Sequence, residues 1–211
     1  MNSHTEKLSL QGAAGAIEAL RDAPRAGTTA HGGVAVIAHP HPLFGGTMDN
    51  KVVQTLARAF VQLGYRAVRF NFRGVGASAG AWDEGRGEID DALAVIAAQR
   101  AAAPGLPLAL GGFSFGGYVA AQAAARLAAA GQPAERLVLV GPATSRFEMP
   151  ARVAGDTLLI HGEADEVVPL AATLDWARPQ LLPVTVLPGV GHFFHGQLTL
   201  LKNLVVQAWH R

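Results

Sequence analysis

Short runs of apolar residues recur along the sequence and alternate with longer segments in which apolar residues repeat every three or four positions. The short runs predict strands at residues 34–38, 67–70, 108–110, 137–140, 157–160 and 184–187. Each of these runs is apolar on both faces, which is typical of a parallel sheet covered by helices on both sides. The longer segments predict helices at residues 50–63, 88–100, 115–130 and 197–209. Strand–helix alternation over most of the chain therefore predicts an α/β fold with a mostly parallel central sheet.

The two ends of the first predicted helix carry recognisable signals. Asp49 or Asn50 is suited to cap its start, and Gly64 is suited to end it. Before the first buried strand, residues 8–20 predict a more irregular antiparallel edge.

Length and composition limit the class of protein. The 211 residues contain no repeat and no low-complexity linker, so we predict a single domain over residues 1–211. Lys and Arg number 17 against 16 Asp and Glu, without a charged block, so we expect no nucleic-acid or membrane-surface partner. The absence of cysteine excludes disulfides and thiolate chemistry. A polar start and the lack of any run of about 18 apolar residues lead us to expect a soluble, cytoplasmic monomer or homodimer.

One predicted strand, at residues 108–110, runs through a glycine pair into Ser114 and then directly into a helix. The sequence Gly112-x-Ser114-x-Gly116 at such a turn is the pattern of a nucleophile elbow. The turn is so tight that the serine is strained and that side chains two residues away would collide with neighbouring elements. We interpret Ser114 as a nucleophile and the Phe115 amide as an oxyanion donor. The alternative is a glycine-rich turn with a capping serine.

A serine hydroxyl becomes a nucleophile at neutral pH when a histidine, oriented by a carboxylate, takes its proton. In chains with this elbow the acid and the histidine follow the serine in that order, each on a loop after a strand. The fifth predicted strand is followed by Asp165 and the sixth by His192. We predict Asp165 as the acid and His192 as the base. Glu163 is the second candidate for the acid, and His195, which we expect to open the final helix, is the second candidate for the base.

The loop after the first buried strand alternates two histidines with two prolines and is the expected position of the second oxyanion donor. Because Pro40 and Pro42 have no N–H, the donor must come from His41 or Leu43, and we prefer His41. His39 and His41 also form an H-x-H pair of the kind found in metal sites. A zinc site would need further ligands, and the sequence assigns none, so we predict structural imidazoles and no metal.

A second glycine-rich segment, at residues 74–79, fits the G-x-G-x-x-A pattern of dinucleotide-binding loops. That pattern requires a helix to begin at once, with its N-terminus free for a pyrophosphate. Further glycines interrupt the following residues, and Asp83 and Glu84 would repel phosphate. We therefore predict a surface turn in which Ser78 is structural, and no nucleotide cofactor.

Two segments resemble a known family. HPHPLFGGTMDNKVV at residues 39–53 and GFSFGG at residues 112–117 are similar to segments of small, lidless bacterial serine hydrolases. More broadly, the chain resembles the α/β-hydrolase superfamily over nearly its full length. The resemblance implies esterase-like or related acyl-hydrolase activity without a cofactor, with the serine, aspartate and histidine named above at the matching positions. The sequence departs from the superfamily at Pro40, where a His-Gly dipeptide is common.

These observations together predict two-step acyl transfer to Ser114 and then to water. The alternatives are an acyltransferase or peptidase with the same triad, or a catalytically idle binding scaffold. Only residues 141–155 separate the fourth predicted strand from the fifth, which leaves no room for a large lid domain and predicts an open site. Six apolar side chains are candidates to line an acyl pocket, although each is equally suited to the core: Phe44, Phe113, Phe115, Phe147, Met149 and Phe193.

Overall fold

The computed structural model describes residues 5–24 and 32–209, so the first four residues of the polar start lie outside the described part. The strands are β1 (Thr5–Gly12), β2 (Gly15–Asp22), β3 (Gly33–Ala38), β4 (Tyr65–Phe70), β5 (Leu108–Phe113), β6 (Arg136–Val140), β7 (Leu158–Gly162) and β8 (Val184–Leu187). The helices are α1 (Lys51–Gln62), α2 (Arg86–Ala102), α3 (Phe115–Ala129), α4 (Leu170–Ala177) and α5 (Leu198–Ala208). Short 3₁₀ turns lie at Pro42–Phe44 and Arg178–Gln180.

The strands form one sheet in the order β1-β2-β4-β3-β5-β6-β7-β8. All neighbours from β4 to β8 in this order pair in parallel, and the β1–β2 and β2–β4 pairings are antiparallel. Helices α2, α3 and α4 pack on one face of the sheet, and α1 and α5 pack on the other. The predicted fold class, a mostly parallel sheet between helices, is confirmed.

Two predictions about the sheet edges need correction. The opening segment forms an antiparallel edge, as predicted, but it is regular rather than irregular, because β1 and β2 pair residue by residue from Thr5 opposite Asp22 to Gly12 opposite Gly15. Strand β8 is not buried on both faces, because it is the last strand of the sheet. Its Val186 is exposed, and only Leu187 is fully buried. An apolar run does not by itself reveal whether a strand has one neighbour or two.

Local signals placed the first helix correctly. The Asn50 side-chain oxygen accepts hydrogen bonds from the amides of Val52 and Val53 at 2.9 and 3.4 Å, so Asn50 rather than Asp49 is the cap. The chain leaves the helix at Gly64, whose φ of 87° lies in the left-handed region that glycine adopts easily. In contrast, the final helix begins at Leu198, so the prediction that His195 opens it was wrong. No helix in the described ranges is both long and apolar enough to cross a membrane.

The glycine-rich segment at residues 74–79 is a turn, as predicted. The Gly74 amide donates to the Ala79 carbonyl at 3.2 Å, and the next helix does not begin until Arg86. The buried Ser78 hydroxyl donates to the Asn71 carbonyl at 2.7 Å and accepts from the Glu18 amide at 3.0 Å. Ser78 therefore ties this turn to strand β2, which is a structural role.

Parallel pairing brings the carboxyl ends of β3, β5, β7 and β8 to the same edge of the sheet. In folds of this class, ligands bind at that edge. The connection from β6 to β7, residues 141–157, contains no helix or strand and no inserted domain. The loops that follow these strands therefore meet at an edge that no lid domain within the described ranges covers.

Candidate active site

Ser114 lies between the end of β5 and the start of α3 with φ 57° and ψ −119°, a conformation that is strained for a residue with a side chain. A Cβ built on Gly112 would fall on the carbonyl of Gly116. A Cβ built on Gly116 would fall on the carbonyl of Ala38, at the end of β3. Because both obstacles are backbone, neither could move aside without displacing a strand or a helix. The elbow therefore requires both glycines, for the steric reason that the sequence suggested.

The structure brings Ser114, His192 and Asp165 together. The Ser114 Oγ lies 3.0 Å from Nε2 of His192, and Nδ1 of the same ring lies 2.6 Å from Oδ2 of Asp165. With the proton on Nδ1, the ring donates to the carboxylate and accepts from the serine hydroxyl. All three residues are at least nine-tenths buried. Along the chain, His192 lies 27 residues after Asp165 and 78 residues after Ser114. This arrangement of hydroxyl, imidazole and carboxylate activates a serine in acyl-transfer enzymes.

The carboxylate of Asp165 is held from both sides. Its Oδ1 accepts hydrogen bonds from the amides of Val167 and Val168 at 2.9 and 2.8 Å, while Oδ2 faces His192. Burial alone would raise the pKa of Asp165, but the hydrogen bonds from His192 and from the two amides outweigh burial and lower it. Asp165 is therefore ionised at neutral pH, as a group that orients an imidazole must be.

The second candidates from the sequence lie elsewhere. Glu163 is exposed, and its Oε2 accepts from the Gly189 amide at 2.9 Å, so it links two loops rather than facing His192. His195 is exposed and contacts the ring of Phe193, with centroids 5.8 Å apart. Of the two histidines, His192 is the one that bonds to the serine.

His161, at the end of β7, is a neighbour of the site that sequence reasoning did not assign. Its buried Nε2–H donates to the Val168 carbonyl at 2.9 Å, and the same nitrogen lies 3.5 Å from Oδ2 of Asp165. Its Nδ1 is buried and has no hydrogen-bond partner among the described residues. Burial lowers the pKa of His161, which favours the neutral ring. The only sequence signal was its position four residues before Asp165, which does not show where the loop turns.

The loop after β3 is organised by the buried ring of His39. Its Nδ1–H donates to the carbonyl of Pro40 at 2.6 Å, and its Nε2 accepts from the Phe72 amide at 3.1 Å. This contact fixes the peptide bond between Pro40 and His41. Because C=O and N–H point in opposite directions across a trans peptide, the His41 N–H points away from the His39 ring. His39 therefore has both ring nitrogens occupied by backbone groups and acts as a structural residue.

The two candidate donors of this loop, His41 and Leu43, differ in what their amides already bond. The Leu43 N–H donates to Nδ1 of the His41 side chain at 3.3 Å, within its own turn. Within the described residues, the amides of His41 and Phe115 donate to no acceptor. Two amides without an acceptor beside a serine are what an oxyanion hole requires. The geometry therefore favours His41 over Leu43.

The burial of His39 gives the protein a predicted pH dependence of stability. Burial lowers the pKa of His39 from 6.5 to about 4, so between these two values the unfolded chain binds more protons than the folded one. Stability therefore falls as the pH drops through this range, by about 3 kcal/mol in total. We expect His39→Gln, which keeps a donor and an acceptor but does not titrate, to lack this part of the loss. Urea unfolding of both proteins at several pH values measures the difference. If the free energy of unfolding falls equally in both proteins as the pH drops through this range, the prediction is wrong.

A cavity of about 310 Å³ opens beside Ser114. Its lining comes mainly from the loop after β3, the start of α3 and the β6–β7 connection: Pro40, His41, Phe44, Gly45, Gly46, Asn50, Ser114, Phe115, Ala143, Arg146, Phe147, Val167, Val168, His192 and Phe193. Four of the six predicted pocket residues are among them. The other two, Phe113 and Met149, are buried in the cores on the two faces of the sheet.

Comparison with known proteins agrees with this geometry. A family model described as serine aminopeptidase, S33, matches residues 34–154. The crystal structure of an α/β serine hydrolase without a lid from Xanthomonas campestris is 37% identical, with a TM-score of 0.88, and the match covers 100% of this chain and 96% of that one. An α/β serine hydrolase homologue from Coxiella burnetii is also 37% identical, with a TM-score of 0.81 and 96% of each chain covered.

A curated relative is matched over a shorter stretch. It is an uncharacterized protein of Rickettsia prowazekii, 43% identical over 96 residues, and the match covers 45% of this chain and 40% of that protein. The chain therefore spans less than half the length of this relative. The family model, in contrast, covers more than half of the chain, and the Xanthomonas hydrolase matches all of it. This chain therefore belongs to the serine aminopeptidase S33 family, within the α/β-hydrolase superfamily of serine hydrolases.

Proposed function

We propose that this protein is an esterase, which hydrolyses small esters through an acyl-enzyme on Ser114. The observation that carries the proposal is the continuous hydrogen-bonded path from the Ser114 hydroxyl through His192 to Asp165, at 3.0 and 2.6 Å. This path ends in the cavity, at a serine whose backbone strain costs on the order of 1–3 kcal/mol. An idle binding scaffold would gain nothing from holding a serine in that conformation.

In the proposed mechanism, His192 Nε2 takes the Ser114 proton as Oγ attacks the carbonyl carbon of the ester. The amides of Phe115 and His41 stabilise the negative charge that develops on the carbonyl oxygen. The tetrahedral intermediate then collapses, and His192 donates the proton to the leaving alcohol. A water molecule, deprotonated by the same ring, releases the acid and restores the serine. Asp165 keeps the imidazole oriented and stabilises its positive charge.

The family description makes an aminopeptidase the second candidate. An aminopeptidase binds a free α-ammonium group next to the scissile bond, and such a cation is commonly held by carboxylates. Among the described residues that line the cavity there is no Asp or Glu, and the one cationic side chain is that of Arg146. A positively charged substrate would be repelled there, so the lining favours an ester over an N-terminal peptide.

A fluorophosphonate probe tests whether Ser114 is an activated nucleophile. We expect stoichiometric labelling, with the added mass located on Ser114 by peptide mass spectrometry, because only an activated serine attacks such a phosphorus centre readily. Heat-denatured protein is the control and should stay unlabelled. Turnover of short p-nitrophenyl esters and of leucine p-nitroanilide then separates an esterase from an aminopeptidase. An unlabelled native protein would contradict the proposed mechanism, and turnover of the anilide alone would contradict the ester as substrate.

A further inference from the structure

We propose that Arg146 forms an anion-binding subsite, which selects esters carrying a carboxylate a few bonds from the scissile carbonyl. This inference rests on the proposed function, since it names the substrate class of the same site.

Arg146 lies in the β6–β7 connection, at the wall of the cavity that contains Ser114. Its amide donates to the Ala143 carbonyl at 3.2 Å, which anchors the residue within a turn. The next residue, Phe147, packs its ring 5.0 Å from that of Phe115, at the start of α3. The backbone of Arg146 is therefore held close to the elbow by its own turn and by the packing of Phe147, and the residue is exposed to solvent.

The charge of Arg146 acts on the loop that supplies the second oxyanion donor. Burial is the main cause of the lowered pKa of the His41 side chain, and the positive charge of Arg146 lowers it further. The guanidinium is thus close enough to influence a group beside the reacting centre. An anion bound to Arg146 would lie within a small molecule's length of Ser114.

The described carboxylates leave Arg146 free. No described Asp or Glu lies within 4.0 Å of its guanidinium, in contrast to other arginines that form ion pairs: Arg21, Arg69, Arg73, Arg86, Arg126, Arg136 and Arg178. The acidic neighbour Glu148 does not line the cavity. A cation in a cavity whose described lining contains no carboxylate is suited to a negatively charged ligand.

The wall between Ser114 and Arg146 is aromatic. The ring centroids of His41 and Phe115 are 5.1 Å apart, and that of Phe147 lies 6.0 Å from His41. This lining fits an apolar or planar spacer, while the planar guanidinium fork matches a carboxylate with two parallel hydrogen bonds. At about 310 Å³, the cavity suits a small substrate. The expected substrate is therefore a small ester with an apolar or aromatic spacer and a terminal carboxylate.

Two pairs of substrates test the selection, since the carboxylate belongs either to the acyl part or to the alcohol part. The acyl pair is p-nitrophenyl hydrogen adipate and p-nitrophenyl hexanoate. The alcohol pair is 4-carboxyphenyl acetate and its methyl ester. Within at least one pair we expect kcat/KM to be about tenfold higher for the anion, because charge-assisted hydrogen bonding to an exposed guanidinium has an effect of this order. The preference should shrink as NaCl rises from about 0.05 M to about 0.5 M.

Variants of the arginine identify the cause of the preference. We expect Arg146→Met to lower the anion-to-neutral ratio of kcat/KM to about one. Arg146→Lys should keep part of the preference, because lysine retains the charge but lacks the fork. Arg152→Met is the matched control, since Arg152 is exposed in the same connection but does not line the cavity. It should leave the ratio unchanged. Equal kcat/KM values within both pairs, or a ratio that survives in Arg146→Met, would overturn the subsite.

A binding measurement separates failure of the subsite from failure of the proposed function. Titration with 3-phenylpropionate, followed by NMR or calorimetry, requires no turnover. We expect wild-type protein and Arg152→Met to bind it about tenfold more tightly than Arg146→Met does, and 3-phenylpropanol to show no such difference. If no ester is hydrolysed but this difference appears, the esterase assignment fails and the subsite stands. If esters are hydrolysed without any anion preference and this difference is absent, only the subsite fails.

Discussion

Replacing Ser114 with alanine is expected to lower kcat/KM for an activated ester by at least about 10³-fold. The Ser114 oxygen forms the bond to the acyl group, and none of the other described residues places a hydroxyl against Nε2 of His192. The residual rate would come from water attacking a substrate held in the oxyanion hole. Steady-state hydrolysis of p-nitrophenyl acetate by both proteins, corrected for the spontaneous rate, measures the effect.

A matched control shows that the loss comes from the nucleophile rather than from the fold. Ser145 is exposed in the β6–β7 connection and does not line the cavity. Ser145→Ala should therefore retain the wild-type rate. The folding of Ser114→Ala is checked by its urea midpoint, which should stay close to that of the wild type because alanine keeps the same backbone restriction. Equal rates for Ser114→Ala and wild type would refute the nucleophile assignment.

Replacing Asp165 with asparagine is expected to lower kcat by about 10³- to 10⁴-fold. The amides of Val167 and Val168 would still hold an oxygen at the Oδ1 position, so the new NH₂ group would face Nδ1 of His192. That ring nitrogen would then have to accept a hydrogen bond, which moves the ring proton to Nε2. A ring protonated on Nε2 cannot take the proton of Ser114. The measurement is kcat for an activated ester at neutral pH.

Glu163→Gln provides the control for this second effect. The exposed Glu163 carboxylate accepts a hydrogen bond from the Gly189 amide, and a glutamine oxygen can accept the same bond. We expect less than a twofold change in kcat, because a single exposed hydrogen bond of this kind is nearly neutral when its acceptor is conserved. A large loss in Glu163→Gln together with an active Asp165→Asn would transfer the role of the acid to Glu163.

Most of the site's local geometry was predictable from the sequence, because it follows from sterics over a few residues. Gly112 and Gly116 are required wherever a strand turns this sharply into a helix, so the elbow and its serine could be recognised without the fold. The start of α1 was predictable in the same way to within one residue, since the sequence offered Asp49 or Asn50 as its cap. The order of serine, acid and histidine then indicated that the acid and the base lie on the loops after two later strands.

Choices between nearby residues needed the tertiary structure. The sequence offered Asp165 and Glu163 as acids and His192 and His195 as bases. Which of each pair faces Ser114 depends on how its loop turns, and in the case of Asp165 on two amides that fold back onto its carboxylate. The sequence did not reveal that His161 lies beside the acid. These contacts join residues on different strands, so no local pattern encodes them.

The sequence by itself determined which elements form and where the backbone must turn, because helix and strand periodicity, caps and glycine turns act over a few bonds. Only the tertiary structure decided which strands became edges, which imidazole bonded to the serine, and that Arg146, which pairs with none of the described carboxylates, lies in the wall of an aromatic cavity. The physical reason is that burial, ion pairing and side-chain contact depend on neighbours that the sheet brings together from distant parts of the chain. The elbow is local, but the site is not.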